Sequence, residues 1–186
     1  MKDLSLHLMD IAQNSITAGA TVIEVSLIYR EGLLVFRLSD NGCGMNDEML
    51  GKVTDPFTTT RTTREVGMGI PLLKLSAELT GGSFGISSRE GIGTTVEAQF
   101  VADSIDRIPL GSIDKTLGAL ILAKPEIDYE INFQRDKTVF ELKTADIKRF
   151  LNGVSICSFE VIGWIEENIR EGLKEVFGGV LNEISG

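Results

Sequence analysis

The stretch LSDNGCGMNDEML, residues 38–50, is the part of the sequence that most restricts the fold. An apolar, strand-like run ends at Asp40, and the loop that follows contains Gly42 and Gly44. An ordinary surface turn needs fewer glycines than this loop contains. Glycine has no Cβ, so it allows the backbone to approach a neighbouring group closely. We therefore interpret the stretch as a place where backbone comes close to a ligand and a carboxylate points towards it.

The composition restricts the partners that the chain can bind. The 186 residues are 42% hydrophobic and 24% charged, with a formal net charge of −9. Nucleic acid and anionic membranes are bound by clustered Lys and Arg, so an acidic chain predicts neither as a partner. The net charge does not exclude binding of a small anion such as ATP, because a local site in an acidic protein can still be positive.

The sequence carries no sign of export. No apolar run approaches the roughly 18 residues of a membrane span, and the N-terminal MKDLSLHLMD has acids inside its apolar stretch, unlike a signal peptide. We therefore expect a cytoplasmic protein. Cys43 and Cys157 lie far apart in the sequence, which predicts neither a disulfide framework nor a zinc site.

Hydrophobic periodicity predicts alternating helices and strands in the first hundred residues. Residues 52–66 follow neither period and hold six threonines, so we expect a long functional loop there. The predicted elements are a helix over 8–18, strands around 23–27 and 34–38, a short helix from Asn46, a helix that starts near Gly69, and strands over 83–88 and 94–100.

The pattern changes near Asp103, since twelve of the twenty glycines precede it. We predict a domain over 1–103 and a small α+β domain of unknown role over 104–186. The second contains a helix over 113–123, a hairpin, a short helix from Thr144 and a long amphipathic helix. This last helix packs on its own domain or contacts a protein partner or a second copy. Its apolar stripe is Phe159, Ile162, Ile165, Ile169, Leu173 and Val176.

The polar residues beside the glycines have the chemistry of an ATP site. Adenine presents a donor amine, and a carboxylate such as Asp40 can accept from it in a hydrogen bond worth about 1.5–3 kcal/mol. Gly42 and Gly44 would let the purine lie against bare backbone. Gly67 and Gly69, just before a helix, would offer N–H groups and the positive end of a dipole to phosphates.

The threonine-rich loop adds a candidate lid. It carries Arg61 and Arg64 and could close over a bound nucleotide. Two common nucleotide signatures, G-x-x-x-x-G-K-[ST] and G-x-G-x-x-G, are absent from the sequence. A nucleotide site in this chain is therefore of another kind.

Five segments over residues 8–100 form an ordered set: DIAQNSITAGAT, DNGCGM, DPFTTTR, GMGIPLLK and GIGTTVEAQF. In that order they resemble the boxes of the GHKL ATPases, which include gyrase, heat-shock 90 chaperones, histidine kinases and MutL-type proteins. The first two are most similar to MutL, and the third and fourth to histidine kinases. The resemblance implies the Bergerat fold, an α/β two-layer sandwich in which a mixed sheet has helices on one face.

The resemblance also implies roles for individual residues. Asn14 would hold Mg²⁺ through its side-chain oxygen, with phosphates and waters filling the octahedron. Asp40 would accept from the adenine amine, and Thr94 would help to read adenine. The other expected nucleotide-contacting residues are Gly42, Gly44, Met45, Phe57, Arg61, Gly67, Met68 and Gly69.

The departure from the family pattern lies at Asp10. Hydrolytic members carry a glutamate four residues before the asparagine, on the same helix face, and here that position is Asp10. Aspartate keeps the charge but is one methylene shorter, so the water would have to lie closer or the rate would fall. We expect Asp10 to be the catalytic base, with Gln13 a less favoured water-positioning group.

Together these features predict a protein that binds ATP and Mg²⁺ and is of the histidine-kinase-like ATPase type. It would hydrolyse ATP, or use nucleotide-driven lid closure, in a regulatory pathway. Two alternatives stay open. One is a protein kinase that acts in trans on a partner, as anti-sigma kinases do, and the other is a non-catalytic, nucleotide-gated interaction module.

Overall fold

The computed structural model describes residues 2–53 and 68–181, so the predicted site residues Phe57, Arg61 and Gly67, and the lid residue Arg64, lie outside the described residues. The helices are α1 (Leu4–Thr17), α2 (Asp47–Val53), α3 (Gly69–Leu79), α4 (Ile113–Ala123), α5 (Thr144–Phe150) and α6 (Phe159–Phe177). The strands are β1 (Val22–Arg30), β2 (Leu33–Asp40), β3 (Ser83–Arg89), β4 (Gly93–Val101), β5 (Asp128–Arg135) and β6 (Thr138–Lys143).

Within the described residues the strands form a single sheet in the order β3-β4-β2-β1-β5-β6. All neighbouring pairs are antiparallel except β1 and β5, which are parallel. The sheet is therefore mixed, as the resemblance implies. Asp40 is the last residue of β2, and the register places it between Ile23 of β1 and Thr94 of β4.

One face of this sheet is apolar and the other is polar. Val25 lies between Leu38 and Ile131 in the register, and all three side chains are buried. The next position along β1 is Ser26, which pairs with the exposed Arg37. Successive side chains of a strand alternate between faces, so the apolar residues of the strands share one face. That face is covered by α1, α3, α4 and α6, which completes a two-layer α/β arrangement.

A separate small C-terminal domain is not confirmed. β5 continues the sheet from β1, pairing from Val22↔Asp128 to Tyr29↔Arg135. α4 packs against α1, and buried residues from both ends of the chain, such as Leu8 and Ile169, belong to one hydrophobic core. Parallel pairing between distant segments has no local sequence signal, so the sequence does not reveal that β5 joins β1. The change in composition near Asp103 therefore predicts a domain boundary that the structure does not confirm.

Two helices differ from their predicted limits. α1 begins at Leu4 rather than at residue 8, because the Asp3 carboxylate caps it by accepting from the Leu6 N–H at 3.0 Å. α2 continues through Lys52 and Val53, which the sequence pattern assigns to the loop.

Across the described ranges, 2–53 and 68–181, the longest helices are too short or too polar for a membrane span.

Candidate nucleotide-binding site

A cavity of about 130 Å³ lies between α1, α2 and the ends of β2 and β4. Its lining combines polar side chains from α1 and the strand ends with apolar side chains from the helices and β4. Five of the predicted site residues line it: Asn14, Asp40, Gly44, Met45 and Thr94. The other lining residues are Ile11, Ser15, Thr17, Ala18, Cys43, Met49, Val53, Ile70 and Val96.

The Asp40 carboxylate is held in one orientation by two donors. The Ser15 hydroxyl of α1 donates to Oδ2 at 2.6 Å, and the Gly42 N–H donates to Oδ1 at 2.9 Å. Ser15 is buried, and its other acceptor, the Ile11 carbonyl oxygen, lies farther away at 3.4 Å. Hydrogen bonds to both oxygens fix the plane of the carboxylate, and its remaining lone pairs can accept from an adenine amine.

Thr94 belongs to a second hydrogen-bond group at the same wall. The Ser88 hydroxyl accepts from the Met45 N–H at 2.8 Å and lies 3.0 Å from the Gly93 carbonyl, to which it donates. The Thr94 hydroxyl lies 2.9 Å from that of Ser88. Since Ser88 uses its one proton on the carbonyl, Thr94 donates to Ser88 and keeps its own lone pairs for other groups.

Neighbouring protein atoms leave no room for a side chain at Gly42 or Gly44, whether or not a ligand is bound. Gly44 has φ of +64°, and a Cβ there would lie 2.1 Å from the Arg89 carbonyl oxygen. A Cβ on Gly42 would lie 2.8 Å from the Ala18 Cβ. The sequence predicts both glycines from close approach to a purine. The structure shows that the β3–β4 turn and the end of α1 already occupy the space of their side chains.

Gly69 has a similar explanation, and it involves Asp10. A Cβ on Gly69 would lie 1.9 Å from Asp10 Oδ2, so the carboxylate packs directly against the first residue of α3. The side-chain space at Gly69 is therefore taken by Asp10, whereas the sequence pattern predicts a phosphate there. Met68 precedes α3 and is 61% exposed, and it does not line the cavity.

Three polar side chains on one face of α1 have unmet hydrogen-bonding capacity. Within the described residues His7 Nε2, Asp10 Oδ2 and Asn14 Nδ2 are buried and have no hydrogen-bond partner. They lie at spacings of three and four residues, so they share one face of the helix. Buried polar groups are nearly always paired in a completed structure, which indicates that this face meets a polar ligand or water.

His7 also links α1 to α3. Its Nδ1 lies 3.3 Å from the Gly69 carbonyl oxygen, and because a carbonyl only accepts, Nδ1 carries the ring proton. Burial lowers the pKa of His7 below its ordinary 6.5, and the bond to Gly69 and the nearby Asp10 oppose that shift in part. The imidazole is therefore held neutral beside the carboxylate.

The comparison with protein families decides the identity of this arrangement. The model of the family described as histidine kinase-, DNA gyrase B-, and HSP90-like ATPase matches residues 2–104. The chain belongs to this ATPase family. Membership implies ATP binding, and the match covers the helix, strand ends and loop that form the cavity.

Individual relatives are similar to a little over half of this chain. It is 29% identical over 122 residues to the autoinducer 2 sensor kinase/phosphatase LuxQ of Vibrio cholerae, covering 56% of this chain and 14% of that protein. It is 30% identical over 103 residues to the histidine protein kinase DivJ of Caulobacter vibrioides, covering 53% and 17%. An NtrY-like protein of Rickettsia conorii is 26% identical over 107 residues, covering 57% and 18%. The chain thus spans less than a fifth of each relative.

Two residues position the predicted side chains of the site, although the sequence pattern assigns neither of them a role in it. Ser15 orients Asp40, and Ser88 connects Met45 with Thr94. Ser15 follows Asn14 inside the segment DIAQNSITAGAT, so its position next to a predicted ligand is the available signal. Ser88 has none, because its role depends on β3 lying beside β4.

The residues present fit a magnesium nucleotide. Mg²⁺ takes oxygen ligands and is usually bound through one or two protein groups together with substrate phosphates and waters. Asn14 lines the cavity, and Asp10 lies one turn before it on α1, with its carboxylate against Gly69. The unpartnered Asn14 Nδ2 is a donor that suits a phosphate oxygen, which leaves the side-chain oxygen for the ion. Asn14 would hold the ion, and the ion would neutralise charge on the phosphates.

Proposed function

We propose that this chain binds ATP with Mg²⁺ in the cavity and either hydrolyses the nucleotide or closes over it as part of a regulatory pathway. The observation that carries this proposal is the Asp40 carboxylate, which Ser15 and Gly42 orient at the cavity wall. A carboxylate has about four acceptor sites, so Asp40 can still accept from the adenine amine. Guanine has an oxygen in the place of that amine, and two acceptors would then face each other.

The chemistry at the phosphate end would depend on Asp10. Its Oδ2 has no partner among the described residues, and its carboxylate lies against the start of α3. As general base, Asp10 would take a proton from the water that attacks the terminal phosphorus while the bond to the leaving ADP oxygen breaks. Asn14, one turn along α1, would keep the phosphate end in place.

Phosphoryl transfer to a partner protein is the second candidate use of the site. Its support is that LuxQ is named a sensor kinase/phosphatase and DivJ a histidine protein kinase. In that reaction a partner side chain replaces water as the nucleophile, so Asp10 would not need to activate water.

Adenine recognition is tested by calorimetry with MgATP and MgGTP. We expect MgATP to bind and MgGTP to bind at least about tenfold more weakly. Asp40→Asn should weaken MgATP by a similar factor, because an amide presents donors as well as an acceptor. Asp103→Asn, a change at an exposed acid outside the cavity, is the matched control and should bind as the wild type does. Equal affinity for MgATP in Asp40→Asn would contradict the adenine assignment.

Hydrolysis is tested by measuring phosphate release from wild type and Asp10→Asn at saturating MgATP. The substitution keeps the shape of the side chain and removes its basicity. If hydrolysis is the function, affinity is retained and phosphate release falls by about 10²-fold or more. If the wild type releases no phosphate but transfers the labelled phosphoryl group of ATP to an added partner protein, the kinase alternative would be established instead.

A further inference from the structure

The exposed aromatic residues of the described chain are concentrated at one corner of the molecule. Phe150 is 90% exposed, Phe159 is 88% exposed and Trp164 is 54% exposed, and all three belong to α5 and α6. The other described aromatic side chains are buried or half-buried. Scattered apolar residues are normal on a protein surface, but a cluster of large ones marks an interaction site.

These helices form a groove, which we call the aromatic groove. Its volume is about 500 Å³, and its walls are α5 with the following Leu151 on one side and the first turns of α6 on the other. The lining is almost wholly apolar. The residues that line it are Asp146, Ile147, Phe150, Leu151, Glu160, Val161 and Trp164.

Packing of α6 on its own core does not account for this surface. The buried stripe of α6 includes Ile165, Ile169 and Val176, which face the sheet. Val161 and Trp164 are three residues apart and form a second apolar stripe, rotated away from the first and facing the groove. Phe159, which the helical spacing assigns to the core-facing stripe, is instead at the exposed start of the helix.

The charges of the groove indicate the kind of occupant. Both charged residues in its lining, Asp146 and Glu160, are acids. Asp146 pairs with Arg149, whereas Glu160 forms no ion pair with any residue in 2–53 or 68–181. A second copy of this chain would bring the same carboxylates, and another net charge of −9, to the contact. Anionic lipid would be repelled in the same way.

We propose that the aromatic groove is a docking site for an amphipathic helix of a partner protein that carries Lys or Arg beside its apolar anchors. The groove lies between two helices and offers apolar side chains, which suits an apolar helix face better than an added β-strand. Trp and Phe anchors are the residue types that dominate binding energies at such contacts. The basic residues of the partner would lie against Asp146 and Glu160.

The protein carries its own reporter, because Trp164 is the single tryptophan of the sequence. The probe is a peptide of about 14 residues, four helical turns, made of leucine at helical spacing and lysine elsewhere. A matched peptide with glutamate in place of lysine tests the charge preference. We expect the leucine–lysine peptide to shift Trp164 emission to the blue and to bind at least about tenfold more tightly than the leucine–glutamate peptide.

Variants locate the contact. Phe150→Ser should weaken the leucine–lysine peptide by about tenfold or more, measured by calorimetry. Ile105→Ser, at a residue that is 98% exposed and far along the chain, is the control and should leave affinity unchanged. Glu160→Gln should cost about two- to fivefold at low salt, whereas Glu175→Gln, an exposed acid near the other end of α6, should cost nothing. Circular dichroism establishes that each variant is folded.

Several outcomes would overturn the proposal. These are equal binding of the two peptides, no binding, or wild-type affinity in Phe150→Ser. A concentration-dependent dimer in sedimentation that Phe150→Ser abolishes would assign the groove to a second copy. A blue shift of Trp164 on zwitterionic phosphatidylcholine vesicles, lost in the same variant, would assign it to a membrane. None of these measurements requires bound ATP.

Discussion

The Ser15 hydroxyl donates to the Asp40 carboxylate at 2.6 Å and thereby ties the first helix to the end of the second strand. The two residues are 25 positions apart, and one belongs to each layer of the fold. The bond joins the stability of the two-layer packing to the orientation of the proposed adenine acceptor. Substitution of either residue should therefore change both the free energy of unfolding and the nucleotide affinity.

Ser15→Ala tests this relationship. Losing the donor should lower the free energy of unfolding by about 1–2 kcal/mol, because a buried bond to a charged acceptor disappears. MgATP affinity should fall as the carboxylate loses its orientation. Urea denaturation and calorimetry measure the two effects. The control is Ser76→Ala, which removes a half-buried hydroxyl of α3 that donates to the Leu72 carbonyl of the same helix and does not line the cavity. Similar results for both variants would show that Ser15 has no special role.

Gly69→Ala should displace Asp10. A Cβ there would lie 1.9 Å from Asp10 Oδ2, so the carboxylate or the start of α3 must move. We expect a loss of about 1–3 kcal/mol in the free energy of unfolding, and a larger fall in phosphate release than in MgATP affinity if Asp10 is the base.

A glycine in α6 provides the matched control for that substitution. Gly163 is exposed, and a Cβ added to it would have no neighbouring atom within 4 Å, so Gly163→Ala should gain up to about 1 kcal/mol from helix propensity. In an Asp10→Ala background the cost of Gly69→Ala should shrink, because the clashing carboxylate is gone. An unchanged cost would locate the strain elsewhere.

His7 should make stability depend on pH below neutrality. Its folded pKa lies below the ordinary 6.5 because it is buried, so the unfolded chain binds the proton first as the pH falls. The free energy of unfolding should therefore be complete above pH 6.5 and should decrease as the pH drops from 6.5 towards the folded pKa. Urea titrations at a series of pH values measure this dependence.

His7→Asn isolates the effect, because the asparagine amide can donate to the Gly69 carbonyl as Nδ1 does but does not titrate. Since His7 is the single histidine of the sequence, the variant should be flat across the window around pH 6 where the wild type slopes. A variant that keeps the wild-type slope would assign the pH dependence to other groups.

Tyr129 should produce the opposite dependence in alkali. Its side chain is fully buried in β5, its hydroxyl donates to the Leu120 carbonyl at 3.1 Å, and burial raises its pKa to about 12. The unfolded tyrosine ionises near 10, so stability should be complete below that pH and should be lost as the pH rises from 10 towards 12. Tyr129→Phe should lose about 0.5–1.5 kcal/mol near neutrality and remove this alkaline slope. Identical slopes in both proteins would contradict the assignment.

The element pattern is largely predictable from the sequence. Alternation at Ile23, Val25 and Leu27 predicts a half-buried strand, and these side chains are buried on one face of β1. The predicted order of helices and strands is also the observed one. These features depend on neighbours in the chain, so periodicity reports them directly.

The candidate site is predictable in its parts but not in its contacts. The resemblance places Asn14, Asp40 and Thr94 in one site, and the structure brings them to one cavity. It does not indicate that Ser15 orients Asp40, or that Asp10 occupies the side-chain space of Gly69. Both contacts depend on how closely α1 approaches the sheet and α3, which no local pattern encodes.

The sequence by itself therefore determined which segments are helices or strands, which of their faces are apolar, and to which ATPase family the chain belongs. Only the tertiary structure decided that β5 extends the sheet beside β1, and that Phe150 and Trp164 form an exposed groove instead of a core. The physical reason is the distance along the chain over which each interaction acts. Backbone propensity and hydrophobic period act between residues a few positions apart, whereas the choice of a strand's partner depends on burial summed over the whole chain.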